Sequence, residues 1–436
     1  VGEAVEAAIE ERKPNWRGVE TPGPGADRWG WLRFLLKLVC GGLVVFCTWW
    51  VVHDLWLLPR DLKEANRLQA RGDRDGSIRV LRGYLQRSPD AGEVRMALAR
   101  KLAQAGDLAG CAAELGKVPT WWPRKREALY LQGQVLNQLD RAQAFEAAWL
   151  ACVEGPVTQA LTDEMLISAG EGLLGLYVLE ERPAEAAKVT WSIFRQWPEE
   201  LRPRALIMRL RTATERIDPK EAVAMLRRYV TADPADWHAR RALARASQAV
   251  GDIEQADQQI ARCIAERPED PRGWADRLQI LDVRQDRAGL LQAVAEIPPR
   301  VQEDARIAQY RGMALESTGD LEGAASAYRR SIALDAYREE VHYLLAGVEQ
   351  RLGRTEQAQR ERELHQGIVR ARKELPVAVL SFQDALDRSG MQDPAVRAAA
   401  QRVSEICRVL GFERDAAEWQ RLAGDGGTGS QPAPGS

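Results

Sequence analysis

The sequence predicts an all-α protein: a solenoid of antiparallel helix pairs preceded by one transmembrane helix. Two observations carry this. A Gly-Asp pair returns along the chain, at Gly72-Asp73, Gly106-Asp107, Gly251-Asp252 and Gly319-Asp320, each time ahead of small and apolar residues at helical spacing. Near the start, the run Leu38–Val52 carries no charge at all. Length and composition agree, since 436 residues with 45% hydrophobic content suffice for several domains or one long array.

Residues 1–30 are polar and close on TPGPGADRWG, a Pro/Gly-rich stretch that cannot hold a helix and is expected to be disordered. Residues 31–58 follow as the membrane segment. The charge-free core alone spans about 22 Å as a helix, short of a hydrocarbon layer of about 30 Å. Adding Phe34, Leu35 and Leu36, with Lys37 reaching back to the interface, lengthens it to a workable span. Trp29, Trp31, Trp49, Trp50 and Trp56 suit the aromatic belts. A cleaved signal peptide is the competing reading, but the residues after the run are bulky and offer no small-residue cleavage site. Positive charges are nearly balanced on the two sides: Arg28, Arg33 and Lys37 before, Arg60, Lys63, Arg67 and Arg71 after. The reading preferred is a single-pass anchor with the repeat domain on the extracytoplasmic side.

The repeat is measured by stepping 34 residues from Gly319, which reaches Gln285, Gly251 and Ile217 backward and Gly353 forward. Asp follows the marker at 218, 252, 286 and 320. Five places beyond the markers lie Ala222, Ala256, Leu290, Ala324 and Ala358. An independent frame holds upstream, at Gly72, Gly106 and Asp140, and Arg182 is read as the marker that joins the two. Each unit is then two amphipathic helices and a tight turn. The Gly ends the first helix where positive φ is wanted, the Asp caps the second, and the small Ala lets the two approach. Units are expected to start near Leu58, Gly92, Arg126, Ser168, Pro203, Trp237, Pro271, Ala305 and Glu339, within an array at 59–370. Residues 371–423 form a degenerate repeat and cap. They include an irregular joint around ELPVAVL and SGMQDP, and a last unit from about Arg397 with Gly411 as its marker. The tail at 424–436 is disordered by composition.

A sustained 34-residue period of this kind resembles the tetratricopeptide repeat. Trp274, Tyr328 and the large-small pairs Leu243-Ala244, Arg311-Gly312 and Leu345-Ala346 fall at family positions. The resemblance implies a right-handed superhelix whose inner groove is lined by the second, fifth, ninth and twelfth residues of each first helix. Those places carry Asn66, Arg100 and Gln134 in the first three units. Farther on they carry Arg204, Arg211, His238, Arg241, Arg245, Arg272 and Arg306, with Gln279 among them. The six Arg would suit an acidic segment or a C-terminal carboxylate held by guanidinium forks. The alternative is a solvated Arg-rich face, in a chain where only nine of 61 cationic side chains are Lys, partly neutralised by Glu215, Asp282 and Glu316. The chaperone-tail clamp of some family members is not supported, because Asn66 is partnered by Leu62 where that clamp needs Lys. Trp121-Trp122-Pro123 is either the apolar stop of one unit packing on the next or an exposed anchor for a partner.

No catalytic arrangement stands out. The four His form no metal-ligand spacing, and there is no phosphate loop and no G-x-S-x-G. GDGGTG in the tail follows a helix rather than a strand, so it is no dinucleotide fingerprint. The six Cys, with no C-x-x-C, read as buried thiols. A net charge of −2 gives no field for nucleic acid. The expectation is a membrane-anchored scaffold with no enzyme activity, cofactor or metal. It would bind protein or peptide partners and the bilayer, with self-association as a variant. A non-catalytic subunit of a membrane enzyme or an export or envelope-assembly complex is the alternative.

Overall fold

The turns decide this architecture. The computed structural model describes residues 60–156, 161–196, 202–214 and 217–424, apart from the side chains of Met208 and residues 211–214. They form ten successive helix pairs. The first five are α1 (60–70) with α2 (Arg74–Arg87), α3 (Gly92–Gln104) with α4 (Leu108–Gly116), α5 (Lys125–Gln138) with α6 (Ala142–Val153), α7 (Asp163–Leu179) with α8 (Pro183–Gln196), and α9 (Arg202–Thr214) with α10 (Pro219–Ala232). The others are α11 (Trp237–Ala249) with α12 (Ile253–Glu266), α13 (Pro271–Val283) with α14 (Arg287–Glu296), α15 (Ala305–Ser317) with α16 (Leu321–Leu334), α17 (Glu339–Arg351) with α18 (Thr355–Ser389), and α19 (Pro394–Val409) with α20 (Glu413–Gly424). The apolar run at 31–58, the N-terminal segment and the tail beyond 424 lie outside the described residues. Among the described residues no helix is long and apolar enough to cross a membrane.

At nine of the ten junctions within a pair, one residue takes the left-handed conformation. These are Gly72, Gly106, Asp140, Glu181, Gly251, Gln285, Gly319, Gly353 and Gly411, with φ between 52° and 87°. The next residue donates its N–H to the carbonyl five places back, at 2.8–3.1 Å, so orphan carbonyls at the helix end are satisfied. Asp73, Asp107, Asp252, Asp286 and Asp320 then cap the second helix, accepting the backbone N–H three residues on at 2.7–3.1 Å. The geometry holds even where the residue type lapses: Asp140 and Gln285 turn as the glycines do. Two expected boundaries shift. The marker of the fourth unit is Glu181 rather than Arg182, and its first helix starts at Asp163 rather than Ser168. Thr162 accepts from the Met165 N–H, and Asp163 and Glu164 favour the helix N-terminus, so the local cap overrides the 34-residue step.

The tenth junction lies partly outside the described residues. Its marker position is Ile217, a β-branched residue for which positive φ is strongly unfavourable. Asp218 behind it is held at φ −55°, ψ 127° before Pro219. Among the described residues α9 packs mainly on α7 and α8 and on the C-terminal helices α18 and α20, while its Ala205 shares a core with Ala222, Val223 and Leu226 of α10. Meanwhile α10 stays with the array, where Tyr229 meets Phe145 of α6 edge-on and Arg228 lies 3.4 Å from Asp140. The fifth unit's first helix is therefore shared between the array and the C-terminal core.

The C-terminal region also departs from expectation. No joint forms at ELPVAVL, since α18 runs 35 residues straight through Pro376 and stops at Gly390, φ 72°. The break lies only at SGMQDP, where Asp393 caps α19. Ile368, Leu375, Val379 and Phe382 of α18, Val403 and Cys407 of α19 and Trp419 of α20 share one core with Trp191 of α8 and Leu206, Ile207 and Leu210 of α9. That apolar face is why a long helix is stable here: burial against two partners outweighs the backbone hydrogen bond lost at the proline.

Candidate functional site

Of the expected groove residues, Arg241, Arg245, Arg306 and Gln279 come together, around Asp276 of α13. Arg241 reaches Asp276 Oδ2 at 3.0 Å, and Arg245 and Arg306 reach Oδ1 at 2.9 and 2.7 Å. Gln279 Oε1 accepts from Arg245 and Arg306, each at 3.1 Å. Asp276 is 1% exposed and Arg241 2%. Arg241 also donates to the carbonyls of Glu180 and Glu181, at 3.1 and 3.2 Å, and Arg245 pairs with the Glu181 carboxylate. The turn between α7 and α8 thus sits directly on α11. These guanidiniums are used within the protein, not held open as forks for a carboxylate.

A second node lies beside the first. Arg182 contacts Glu146 at 2.7 Å, Glu180 at 2.8 Å and Glu185 at 3.2 Å, and lies 4.7 Å from the Tyr177 ring centre. Arg272 pairs with Asp270 at 2.8 Å, reaches Glu185 at 3.7 Å and lies 5.0 Å from the Trp237 ring centre. Arg204 is exposed, and the side chain of Arg211 lies outside the described residues. His238 sits among Arg182, Arg272, Arg267 and Arg241; burial and these cations depress its pKa to about 3, and its Nδ1 is buried without a hydrogen-bond partner.

The electrostatics follow from burial. Desolvation alone would push Asp276 up, but Arg241, Arg306 and Arg245 overcome it and hold the carboxyl below its usual range. Glu180 goes the other way: burial pushes it up to about 8 against the pull of Arg182. Between pH 4.5 and 8 the folded chain then holds a proton on Glu180 that the unfolded chain has released. The contribution of Glu180 to stability falls across that window as pH rises. Glu180→Gln removes this dependence. We expect its unfolding free energy to gain on the wild type from pH 5 to pH 9, by about 1.4 kcal/mol per pH unit at the steepest, read from urea midpoints. A constant difference would assign Glu180 an ordinary carboxylate pKa.

The tryptophan pair divides. Trp122 packs so closely on Gly92 at the start of α3 that a Cβ there would lie 2.6 Å from its ring, whereas Trp121 is 64% exposed. Trp122 is the apolar stop of a unit, and Trp121 is free to meet something else. Cys111, Cys152, Cys263 and Cys407 are buried free thiols, and burial pushes the last three up to about 12.

Sequence reasoning missed an apolar groove of about 710 Å³ between the α16–α17 turn and α18. Ile332, Tyr337, Leu364, Ile368 and Val409 line it, with His342, Arg360 and Glu363. Leu364 is 51% exposed. The signal was Leu364, the one large apolar residue in the run TEQAQRERELHQG; the 34-residue frame gave it no place.

Residues 213–278 match the family model described as tetratricopeptide repeat. That segment is similar to tetratricopeptide-repeat sequence. It covers the second helix of the fifth unit, all of the sixth unit and the start of α13. No curated protein matches the chain. Among solved structures, the Cut9–Hcn1 hetero-tetramer of the APC/C is similar over 91% of this chain and 96% of that one, at 15% identity and a TM-score of 0.35. A tetratricopeptide repeat protein from Parabacteroides merdae is similar over 59% and 98%, at 15% identity and a TM-score of 0.31. A thermophilic repeat protein from Thermus thermophilus is similar over 48% and 99%, at 16% identity and a TM-score of 0.31. At such scores the likeness carries no weight of its own. The fold rests on the period, the nine left-handed turns and the stacked pairs.

Proposed function

We propose that the protein is a non-catalytic scaffold whose tetratricopeptide-like array gathers segments of partner proteins, and that the apolar groove at Leu364 is the site of contact. The observation that carries this is the groove itself: Ile332, Tyr337, Leu364 and Val409 leave an open apolar trough on the surface of the stacked pairs. Apolar surface of this kind, rimmed by charges such as Arg360 and Glu363, suits a segment that inserts an apolar side chain between polar flanks. The internal pairing of Arg241, Arg245 and Arg306 speaks against an acidic segment at the arginine face. The run Leu38–Val52 supports a single-pass anchor, with the array on the extracytoplasmic side. A role as non-catalytic subunit of a membrane assembly is the same reading with a permanent partner.

The test is cross-linked capture of the full chain from its native membrane, beside two folded variants. One carries Leu364→Glu and Tyr337→Ala; the other carries Arg204→Ala and Arg272→Ala. The expected result is a partner enriched with wild type, kept by the arginine variant and lost by the groove variant. Loss with the arginine variant alone would return the site to the arginine face. Equal capture by all three would remove both.

A further inference from the structure

We infer that His342 is a protonation-dependent clasp across the Leu364 groove, joining its two walls only while both ring nitrogens carry a hydrogen. The inference deepens the reading of that groove as the contact site, and its consequence for binding rests on that reading. One wall is the end of α16 and the turn after it, with Ile332, Ala336 and Tyr337. The other is α18, with Arg360, Glu363, Leu364 and Ile368. His342 lines the same groove and is 3% exposed. Its Nδ1 lies 2.6 Å from Glu361 Oε2 on α18, and its Nε2 lies 2.9 Å from the Ala336 carbonyl in the turn. A carboxylate and a carbonyl both accept, so each ring nitrogen has to bring a hydrogen. A neutral imidazole has one N–H and serves one wall; the imidazolium serves both.

The surroundings set Glu361 against the ring and send the neighbouring charges elsewhere. Arg338 of the turn reaches Gln309 at 2.7 Å and Glu340 at 3.7 Å, and Asp335 accepts the Tyr337 N–H. Arg329 of α16 pairs with Glu349, and Arg372 of α18 with Glu339. Arg360 and Glu363 line the open groove. His365 also ties α18 to α17, with Nδ1 2.9 Å from the Glu339 carbonyl, but a single N–H makes that contact. Burial alone would lower the His342 pKa; the bonds to Glu361 and Ala336 outweigh it and raise it above the ordinary 6.5. The clasp is therefore complete below pH 6.5 and comes apart as pH rises through the raised pKa. The neutral ring then leaves one acceptor facing a lone pair, and the turn of α18 from Glu361 to Leu364 loosens. Arg354 and Arg372, paired with Glu349 and Glu339, keep the helix tied on either side of that turn.

The test is amide hydrogen exchange of the full chain across 358–368 between pH 5.5 and pH 9, scaled to the intrinsic rate at each pH. Glu361→Gln is the deciding variant. A carboxamide donates its own N–H to a neutral Nδ1, so both contacts survive without the charge. Wild type is expected to lose protection about tenfold across the range, the scale of one charge-assisted hydrogen bond. Glu361→Gln should stay flat, whereas a purely structural contact would be weakened by it at every pH. His342→Leu, with helix content unchanged, should be less protected than wild type at pH 5.5 and flat above it. Wild-type protection that does not fall, that falls equally in Glu361→Gln, or that matches His342→Leu at pH 5.5 would overturn the inference. Cross-linked capture from native membrane at pH 6 and pH 9 reads the consequence for binding. Wild type should lose its partner at pH 9 and Glu361→Gln should keep it; equal capture by wild type at both values would overturn that consequence. Exchange needs no partner. A groove that captures nothing at either pH would strike the reading of the site, while the exchange result still decides the clasp.

Discussion

Asp276→Ala is expected to cost about 3–5 kcal/mol of stability, as removal of one member of a buried ion cluster does. The two oxygens of Asp276 serve three guanidiniums, and none of the three has a second carboxylate of comparable burial. Arg241 would keep only the carbonyls of Glu180 and Glu181, at 3.1 and 3.2 Å, and would carry an unpaired charge at 2% exposure. Arg245 would keep Glu181, which is half exposed, and Arg306 would turn toward water. The cost therefore falls mainly on Arg241. Arg306→Gln should cost far less, because its removal leaves Asp276 with two partners. Because the folded carboxyl is held below its usual range, the contribution of Asp276 is present at neutral pH and fades as pH falls through the acid range. Urea unfolding at pH 7 gives the size of the loss, and amide exchange gives its place. Exchange should rise across 237–283 and at the Glu180–Glu181 turn, and little at α2 to α4, since a repeat array transmits loss mainly to neighbours. A loss under about 1 kcal/mol would mean that the cluster only balances its own desolvation.

The pairs and their turns were legible because each unit repeats one local solution. The backbone needs a left-handed residue and then a capped N-terminus, and Gly-Asp supplies both. The period even located the turns that lack glycine, since Asp140 and Gln285 were found by spacing alone and both take positive φ. The same rule contained the exception. Ile217 was the marker position with a β-branched residue, and Pro219 stood just behind it. A unit without its turn residue is a unit whose helices need not pair with each other alone. What the sequence could not show is where α9 goes, because the partners of Leu206 and Leu210 include α18, α19 and α20 at the C-terminal end of the chain. Pro376 misled in the opposite direction. It reads as a helix stop, yet tertiary burial of Leu375 and Val379 on either side carries the helix through it.

The arginine positions were read as an open groove face, whereas Arg241, Arg245 and Arg306 have internal partners. Fifth and ninth places of a first helix face a groove only if neighbouring units are regular. At α11 the same places face the turn of the fourth unit and become interior. Asp276 escaped notice because it lies outside the places assigned to the groove, and a single Asp among 63 acidic residues carries no pattern.

Trp419→Ala is the second large effect, about 3–5 kcal/mol for a fully buried aromatic side chain. Trp419 has 0% exposure and meets Phe382 edge-on, with ring centres 4.7 Å apart. It stands where α18, α19, α20 and α9 share one core, so its loss opens a cavity that four helices border. The distinctive consequence is remote. Amide exchange in α9 should quicken around Leu206 to Leu210, five units earlier in the chain, while the turn at Gly319 should not change. Trp419→Phe separates shape from polarity. The indole Nε1 is buried without a hydrogen-bond partner, so Phe removes an unpaired donor along with part of the ring. The lost ring volume and the relieved desolvation oppose each other, and the net cost should be under half that of Ala. If Trp419→Ala lowers stability but leaves exchange in α9 unchanged, the two segments are neighbours without being coupled. If both change together, the C-terminal helices and α9 unfold as one unit, which is the behaviour their shared core requires.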